Sequence, residues 1–495
     1  MTARLTDGLT DTNAVALPPI GRPMLFIECT NTYRSAVQTG IQRVVRNTLR
    51  QARTLARERG YEAAPVVLVG GQLRIADFDL LLRDRLRDDA SATPQAGRRP
   101  RDLVIDAARG SYRAVRQGLA VVLPHPAVRR FLFAHPANFG LGWSLRQPAL
   151  LLKRMLPKRP VVPADPSVLN DGLGISLDSY PNHSGNALLL IDGSFSIPIW
   201  PAVARFQAAG GSAHVVVHDL VPITHPETVG DGMTTEFTAW IKQALRQQTR
   251  FLSVSRTVAT QLGQYLAGLT AQGFPAVPSP PRAFHLGSEL DFSDPSRTPR
   301  PEVQAVLDGD EHVFIVVGSV EPRKNHRYIL DAFDLYWRAG GTGRLAIIGR
   351  VGWKTEDLVA RITGHPLYAR RLFLLRDVDD SELGHAYSEA SALVIASIAE
   401  GFGLPVVEAF QRGLPVLCSD IAVFRETAEG RATFFDLASP QYLADALLAF
   451  SAAHDPAQRR VRDPQPWITW RESTEQLLDA VLGPKPAAPD AAHAA

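Results

Sequence analysis

The chain has 495 residues, of which 45% are hydrophobic and 21% charged, and its formal net charge at pH 7 is +3. Because one ordinary hydrophobic core does not extend over a chain of this length, we expect two domains. The small net charge does not indicate a nucleic-acid-binding protein. The two cysteines, Cys29 and Cys418, lack the spacing of a zinc site or a disulfide framework, which favours a reducing cytoplasm.

The two termini have the composition of disordered tails, which we assign to residues 1–21 and 484–495. The first of them has no apolar segment of the kind that a secretory signal contains. No uncharged apolar run in the sequence approaches the ~20 residues that cross a bilayer. We therefore expect any association with a membrane to be peripheral.

Strand and helix patterns alternate in the first half of the chain. Residues 24–28 predict a buried strand, and an amphipathic helix begins at Gly40. The apolar runs 187–192 and 214–219 end in polar residues, which is typical of parallel strands buried on both faces. We assign residues 22–292 to an N-terminal α/β domain, with an insertion at about 51–180.

A second alternating series begins near residue 311. Its predicted strands are residues 313–317, 345–348, 372–375, 392–396 and 416–418. Helical patterns separate several of them, as βαβ units require. The Pro- and Ser-rich segment 291–301 predicts a linker, so the second domain spans residues 300–465. Open α/β sheets bind ligands at the carboxyl ends of their strands, so we expect a ligand in the cleft between the domains.

The most informative motif follows the strand 392–396, where a glycine-containing turn leads into a helix. Pro405 suits the first position of that helix, because its missing N–H is not needed there. Gly401 and Gly403 permit close approach of a ligand to the backbone, and the helix start offers free N–H groups. Glu400 lies in the turn and Glu408 in the first helical turn, where both could accept hydrogen bonds from one ligand. The alternative is that Glu408 complements the helix dipole and Glu400 is solvated.

A second motif follows the strand 313–317. Gly318 opens a turn, and Arg323 and Lys324 supply two cations before the next helix. Two adjacent cations at such a position suit an anionic ligand, although a surface Arg-Lys pair is often only solvated.

Both motifs resemble those of the family 4 retaining glycosyltransferases, which have the GT-B fold of two facing Rossmann-like domains. The segment from Glu400 to Pro405 with Glu408 is similar to the family's E-x7-E element. The resemblance implies that Glu400 contacts the donor sugar and that Glu408 contacts the ribose. It also implies that sugar and phosphate are held by the backbone of four residues, namely Gly401, Phe402, Gly403 and Leu404.

Further donor contacts follow from the same resemblance. Gly318, Arg323 and Lys324 resemble the family's phosphate site and would neutralise the leaving diphosphate. Val378 lies in the loop where relatives hold the base. The segment 349–354 either lines the nucleotide pocket or, through Trp353, packs between the domains. The helix 380–387 is similar to one that many family members share, and we interpret it as structural.

In the first domain, the segment 39–44 resembles the family's G-[GI]-x-R loop, which implies that Gly40 and Arg43 meet the donor phosphates. The segment 216–222 resembles the family's H-D-x-x-P strand end, which implies that His218 contacts the transferred sugar and the acceptor. In relatives the last helix crosses back onto the first domain, and we predict the same for residues 466–483. Gly40 as a helix cap and His218 as a structural residue are the alternatives.

The region 110–160 departs from the resemblance. It contains nine Lys or Arg residues and no Asp or Glu, together with aromatic residues and an apolar run at 149–152. Basic segments with aromatic residues favour anionic membrane surfaces and would also attract an acceptor carried on a lipid diphosphate. An Arg-rich solvated face or a packed insertion is the alternative.

The resemblance implies a retaining, metal-independent hexosyltransferase, with a nucleotide-diphosphate sugar as donor substrate and no cofactor. We expect a glycan or lipid-linked acceptor and a place in bacterial surface polysaccharide synthesis, in the cytoplasm or at the inner face of the membrane. The two first-domain motifs together resemble those of bacterial mannosyltransferases of polysaccharide assembly, which implies GDP-mannose as the donor, while rhamnosyl or glucosyl donors stay open. The alternatives are a catalytically inactive carbohydrate- or nucleotide-binding protein, a dehydrogenase, which would need a G-x-G-x-x-G after its first strand, and a nucleic-acid binder.

Overall fold

The computed structural model describes residues 21–34, 40–77, 173–180, 185–290, 297–458 and 463–486. The basic region 110–160, most of both predicted tails and residues 291–296 of the predicted linker lie outside the described residues. Within the described part, no helix is both long enough and apolar enough to cross a bilayer.

The first domain is built on an eight-stranded sheet with the strand order β4-β3-β2-β1-β5-β6-β7-β8. Strand β3 is antiparallel to both of its neighbours, and the other pairs are parallel. The strands are β1 Met24–Glu28, β2 Glu62–Val69, β3 Gln72–Ala76, β4 Leu173–Ser176, β5 Ala187–Leu190, β6 Ser212–Val217, β7 Arg250–Ser253 and β8 Arg282–Ala283. Part of the predicted insertion at 51–180 therefore belongs to the sheet itself, since it contains β2, β3 and β4.

Among the described residues of this domain, the helices that accompany the sheet are α1 Thr30–Arg34, α2 Gly40–Arg57, α3 Trp200–Ala208, α4 Val221–Thr224, α5 Met233–Arg246 and α6 Arg256–Ala271. The apolar face of α2 is spaced at helical intervals, which buries Val45, Leu49 and Ala52 completely. The same helix also buries polar residues, and one of them, Arg46, lies close enough to Asp192 after β5 to affect its charge.

The second domain contains a six-stranded, all-parallel sheet with the strand order β11-β10-β9-β12-β13-β14. This is the Rossmann order 3-2-1-4-5-6, and its switch point lies between β9 and β12. The strands are β9 Val313–Val317, β10 Arg344–Ile348, β11 Leu372–Leu375, β12 Ala392–Ile395, β13 Val416–Ser419 and β14 Thr433–Phe435.

Helices cover both faces of this sheet, namely α7 Pro301–Leu307, α8 His326–Arg338, α9 Glu356–Thr363, α10 Asp380–Glu389, α11 Leu404–Gln411, α12 Ala422–Ala428 and α13 Pro440–Ala453. Alternate residues of one strand therefore join different cores: Val313 and Ile315 pack into one cluster, Phe314 and Val316 into the other. This two-sided burial explains why the strand sequence is apolar throughout instead of alternating.

The last helix, α14 Trp470–Leu482, packs against α2 of the first domain. Trp470 anchors its start, because its backbone N–H donates to the Glu289 carboxylate (2.7 Å) and its indole N–H to the Glu289 carbonyl (3.1 Å). Further along, Arg59 of the first domain pairs with Asp479. The chain thus returns to the first domain after completing the second.

Candidate functional site

The loops that follow β9 and β12 meet at the switch point of the second sheet. The β9 loop carries Arg323 and Lys324, and the β12 loop carries Glu400. Because the two strands are neighbours and parallel, their carboxyl ends open at the same place. The structure therefore brings together charged residues that lie more than seventy positions apart in the sequence.

Glu400 is the centre of this cluster. Its carboxylate accepts hydrogen bonds from Lys324 Nζ (2.6 Å) and from the Ser397 hydroxyl (2.7 Å), and it forms an ion pair with Arg323 (2.6 Å). The side chain is only 8% exposed, so the alternative of a solvated loop residue does not describe it. Arg323 also donates to the Ala399 carbonyl (3.0 Å), which fixes its direction.

The electrostatics follow from this packing. Burial disfavours the charged form of Glu400, but Arg323 and Lys324 outweigh it and lower the pKa of the carboxyl to about 2. Burial likewise works against the Arg323 charge, and Glu400 outweighs it, so the pKa of the guanidinium is raised. Glu321 also forms an ion pair with Arg323 (3.9 Å), so the two cations of this cluster face two carboxylates.

Two glycines shape the β12 loop before helix α11 begins. Gly403 has φ +91°, in the left-handed region that glycine adopts without strain. A Cβ on Gly401 would lie 1.9 Å from the carbonyl oxygen of His218, in the other domain. The Gly401 carbonyl in turn accepts a hydrogen bond from the Ser255 hydroxyl (2.8 Å), so the first domain packs directly on this loop.

Glu408 is the fifth residue of α11, so it lies in the second turn of the helix and not in the first, as the sequence analysis placed it. The reason is that the helix begins at Leu404, immediately after the left-handed Gly403. Glu408 is buried, with 3% exposure. One carboxylate oxygen pairs with Arg43 of α2, and the other accepts from the Tyr387 hydroxyl (2.7 Å).

Arg43 crosses from the first domain into this part of the second. Besides Glu408 it binds Asp380 Oδ1 (2.8 Å), so its guanidinium lies between two carboxylates. Burial disfavours the charged form of Arg43, but the attraction of Glu408 and Asp380 outweighs the effect of burial, so the pKa of the guanidinium is raised. One cation between two carboxylates gives this cluster one formal negative charge.

His218 follows β6, and its imidazole Nε2 lies 2.7 Å from the Ile191 carbonyl. A carbonyl only accepts, so Nε2 carries the proton and Nδ1 is the unprotonated nitrogen of the neutral ring. Burial lowers the pKa of His218, which keeps the ring neutral near pH 7. No other described residue hydrogen-bonds to Nδ1.

The remaining predicted residues surround this centre. Gly40 begins α2, and a Cβ on it would lie 3.9 Å from Leu404, so the starts of helices α2 and α11 are neighbours. Gly318 has φ +137°, and a Cβ there would lie 3.4 Å from Lys324 Cε. Phe402 is buried and contacts the ring of Trp467 edge-on. Val378 is partly buried against the core of the second domain.

Sequence reasoning missed Asp380, Tyr387 and Ser397 as members of the site. Asp380 and Tyr387 lie on the helix that was interpreted as structural, and each contacts a charged partner there. Their spacing of seven residues, two helical turns, puts both on one face of α10, which is the signal that was available. Trp353 contacts the first domain, since its indole N–H donates to the Thr228 carbonyl (3.1 Å), while its side chain stays exposed.

A separate polar cluster lies at the switch point of the first sheet, where β1 and β5 are neighbours. Glu28 and Asp192 are both buried there, and the Thr32 N–H donates to Asp192 (2.6 Å). Burial and the nearby Asp192 raise the pKa of Glu28 to about 8, and burial raises that of Asp192 to about 6. The Asn31 side chain donates to the Gly193 carbonyl (2.9 Å), which ties the β1 loop to the β5 loop.

Comparison of the fold with solved structures identifies its class. HepE of Anabaena, solved in complex with UDP and glucose, superposes with a TM-score of 0.50 at 14% sequence identity, covering 93% of this chain and 99% of that chain. With its two Rossmann-like domains, the chain has the GT-B fold. Residues 300–462 match the family model described as "Glycosyl transferases group 1". The match includes both loops of the second domain, while Gly40, Arg43 and His218 of the first domain lie outside it.

Two sequence relatives have assigned functions. The serotype-specific mannosyltransferase WbdA of Escherichia coli is 35% identical over 278 residues, which are 56% of this chain and 34% of the relative. The O-antigen chain mannosyltransferase RfbU of Salmonella typhimurium is 26% identical over 221 residues, which are 44% of this chain and 55% of the relative. This chain therefore spans about a third of the length of the WbdA proteins it matches.

Proposed function

We propose that the chain is a glycosyltransferase that moves a hexose from a nucleotide-diphosphate sugar to a glycan or lipid-linked acceptor. The observation that carries the proposal is the convergence of Arg323, Lys324 and the start of helix α11 at one switch point. Cations and the N–H groups of a helix start both favour a diphosphate. The GT-B fold and the family match of the second domain support the same reading.

The two charged clusters suit the two ends of such a donor. The first cluster supplies two cations, Arg323 and Lys324, that attract phosphate. The cluster of Arg43, Asp380 and Glu408 has one cation and two carboxylates, and so one formal negative charge. Carboxylates accept hydrogen bonds from hydroxyl groups and repel phosphate, so the second cluster suits the ribose. The proposed donor lies with its diphosphate toward Lys324 and its ribose toward Glu408.

For the reaction we propose transfer with retention and without a metal. The departing phosphate oxygen takes the acceptor proton, so no carboxylate base is needed. The protein stabilises the growing negative charge through Arg323, Lys324 and the backbone N–H groups that follow Gly401, and it positions the acceptor. Glu400 orients the two cations and contacts sugar hydroxyls, and His218 lines the acceptor side, where Nδ1 of its neutral ring accepts a hydrogen bond.

Mannose is the sugar we favour, with GDP-mannose as donor, because both relatives are mannosyltransferases by name. Their serotype and O-antigen functions support a role in surface polysaccharide synthesis. We propose no cofactor. Contact of the region 110–160 with the inner face of the membrane stays a prediction, since that region lies outside the described residues.

The proposal is tested by a thermal-shift screen of GDP-, UDP- and dTDP-sugars, followed by a transfer assay with the donor that stabilises the protein most. We expect Lys324→Ala to reduce transfer by about a hundredfold or more, because removing one preorganised charge-stabilising group costs roughly 3–4 kcal/mol in the transition state. Lys242→Ala is the matched control: this lysine lies on α5, where it contacts the Phe274 ring, and transfer should be unchanged.

The outcomes separate the alternatives. Binding of a nucleotide sugar without hydrolysis or transfer would indicate an inactive binding protein, and preference for a rhamnosyl or glucosyl donor would replace mannose alone. Full transfer activity in Lys324→Ala would refute the site assignment.

A further inference from the structure

The contact between Arg43 and Glu408 has a bearing on how the donor is held. Arg43 was expected to meet the donor phosphates, yet both of its terminal nitrogens are bound to carboxylates, one to Glu408 and one to Asp380. The side chain is 17% exposed. A guanidinium in this position, outnumbered by negative charges, is a poor phosphate ligand.

We propose that Arg43 is a positioning residue that acts through Glu408. Asp380 holds Arg43 and Tyr387 holds Glu408, so that the contact between the domains and the binding of the ribose depend on each other. The inference rests on the proposed function, in which Glu408 is the ribose ligand. Arg43 belongs to the first domain, and the other three residues belong to the second. The carboxylate that receives the ribose is thus set by a residue of the opposite domain.

The geometry explains how Glu408 can be held and still bind a ligand. Arg43 occupies one of its oxygens, and the Tyr387 hydroxyl occupies the other. A carboxylate has about four lone-pair positions, so each oxygen of Glu408 keeps one acceptor position beside its present partner. The hydrogen bonds from Arg43 and Tyr387 prevent the Glu408 carboxylate from rotating, so its remaining acceptor positions point in fixed directions.

Asp380 contributes the second anchor of Arg43. It binds one terminal nitrogen, at 2.8 Å, while the other pairs with Glu408, which holds the guanidinium plane in place. Asp380 is only 11% exposed, and its second oxygen is buried without a hydrogen-bond partner. Without Arg43, this carboxylate would lie next to Glu408 with no cation between them.

This arrangement predicts that Asp380→Asn weakens GDP binding when residue 43 is arginine and strengthens GDP binding when residue 43 is methionine. In the wild-type background we expect about threefold weaker GDP binding, because Arg43 loses one anchor. Arg43→Met should weaken GDP binding about tenfold or more, because two buried carboxylates are left together. In Arg43→Met, the added Asp380→Asn removes that repulsion, and GDP binding should recover by about threefold or more.

The experiment is a double-mutant cycle read by calorimetric titration of GDP, with UDP as the second probe. Arg43→Lys keeps the charge but lacks the planar fork, so we expect an affinity between those of the wild type and Arg43→Met. Circular dichroism of each variant verifies that it is folded. Sign reversal supports the inference. An Asp380→Asn effect of the same direction and size in both backgrounds would overturn it, since Arg43 and Asp380 would then act on GDP binding independently of each other.

The failure of the proposed function looks different. If the wild-type chain binds neither GDP nor UDP, the donor site itself is wrong, and the ribose role of Glu408 falls with it. The same cycle, read in the midpoint of thermal unfolding, then still decides whether Arg43 and Asp380 act as one unit: additive shifts would overturn that as well.

Discussion

Replacing Glu400 by Gln tests the electrostatics of the donor loops most directly. The substitution keeps the shape of the side chain and removes its charge, so Arg323 and Lys324 lose the carboxylate that lies 2.6 Å from each of them. The pKa of Glu400 falls from the ordinary 4.5 to about 2 in the folded protein. At 1.36 kcal/mol per pKa unit, the ionised form contributes about 3 kcal/mol to the free energy of unfolding at neutral pH.

The assay is urea unfolding of wild type and Glu400→Gln, at pH 7 and at several lower values. A lowered carboxyl pKa stabilises the fold above about pH 4.5, and that contribution is lost as the pH falls toward 2. We therefore expect Glu400→Gln to be less stable at pH 7 by up to about 3 kcal/mol, and the difference to shrink on acidification.

Glu426→Gln is the matched control. Glu426 is also a poorly exposed carboxylate whose burial is outweighed by hydrogen bonds from His285 and Thr257, and its pKa is about 2. Its partners lie at the start of α6 and before the linker, and the ring of His285 also packs against Phe402 of the β12 loop. Both variants should lose stability, but the loss of donor binding and transfer should be larger in Glu400→Gln, whose charge contacts Arg323 and Lys324 directly. Wild-type stability and transfer in Glu400→Gln would refute the reasoning.

Two further substitutions probe the contacts of the first domain. Gly401→Ala places a Cβ 1.9 Å from the His218 carbonyl, so we expect a loss of roughly 1–3 kcal/mol in the free energy of unfolding; an unchanged melting temperature would show that the loop can move aside. Glu28→Gln removes a carboxyl whose pKa is raised to about 8, and a raised carboxyl pKa means that the folded state loses stability as the pH rises from about 4.5 to 8. The variant should therefore lose less stability than wild type over that range in thermal unfolding, and parallel profiles would contradict this.

The central strands of both sheets could be predicted from the sequence because they are buried on both faces. The run 313–317 is apolar at every position, and the structure has a strand over the same residues. Strand β2 was missed, although it is apolar for most of its length, because the region after residue 50 departs from the family resemblance. Strand β3 alternates Leu73 and Ile75 with polar residues and pairs as a short hairpin with β2, a local signal that was passed over.

The candidate site was predictable where chemistry and backbone pattern coincide in one segment. The turn from Glu400 to Pro405 combines a carboxylate, two glycines and a helix start, and these features are visible in a single stretch of sequence. The partners of Glu408 were not, because Arg43 lies 365 positions away and Tyr387 lies on another helix. Which carboxylate a given cation binds depends on the tertiary packing, and no local pattern encodes it.

The contacts that join the two domains often have main-chain atoms as partners. Gly401 touches the His218 carbonyl, the Ser255 hydroxyl donates to the Gly401 carbonyl, and Lys354 Nζ donates to the Val229 carbonyl (2.9 Å). Every residue type offers the same carbonyl, so Val229 can change in identity without loss of the Lys354 contact. Inserting or deleting one residue in the 226–231 segment would shift the acceptor itself. The alignment of the domains should therefore tolerate substitutions at residue 229 far better than changes in the length of this segment.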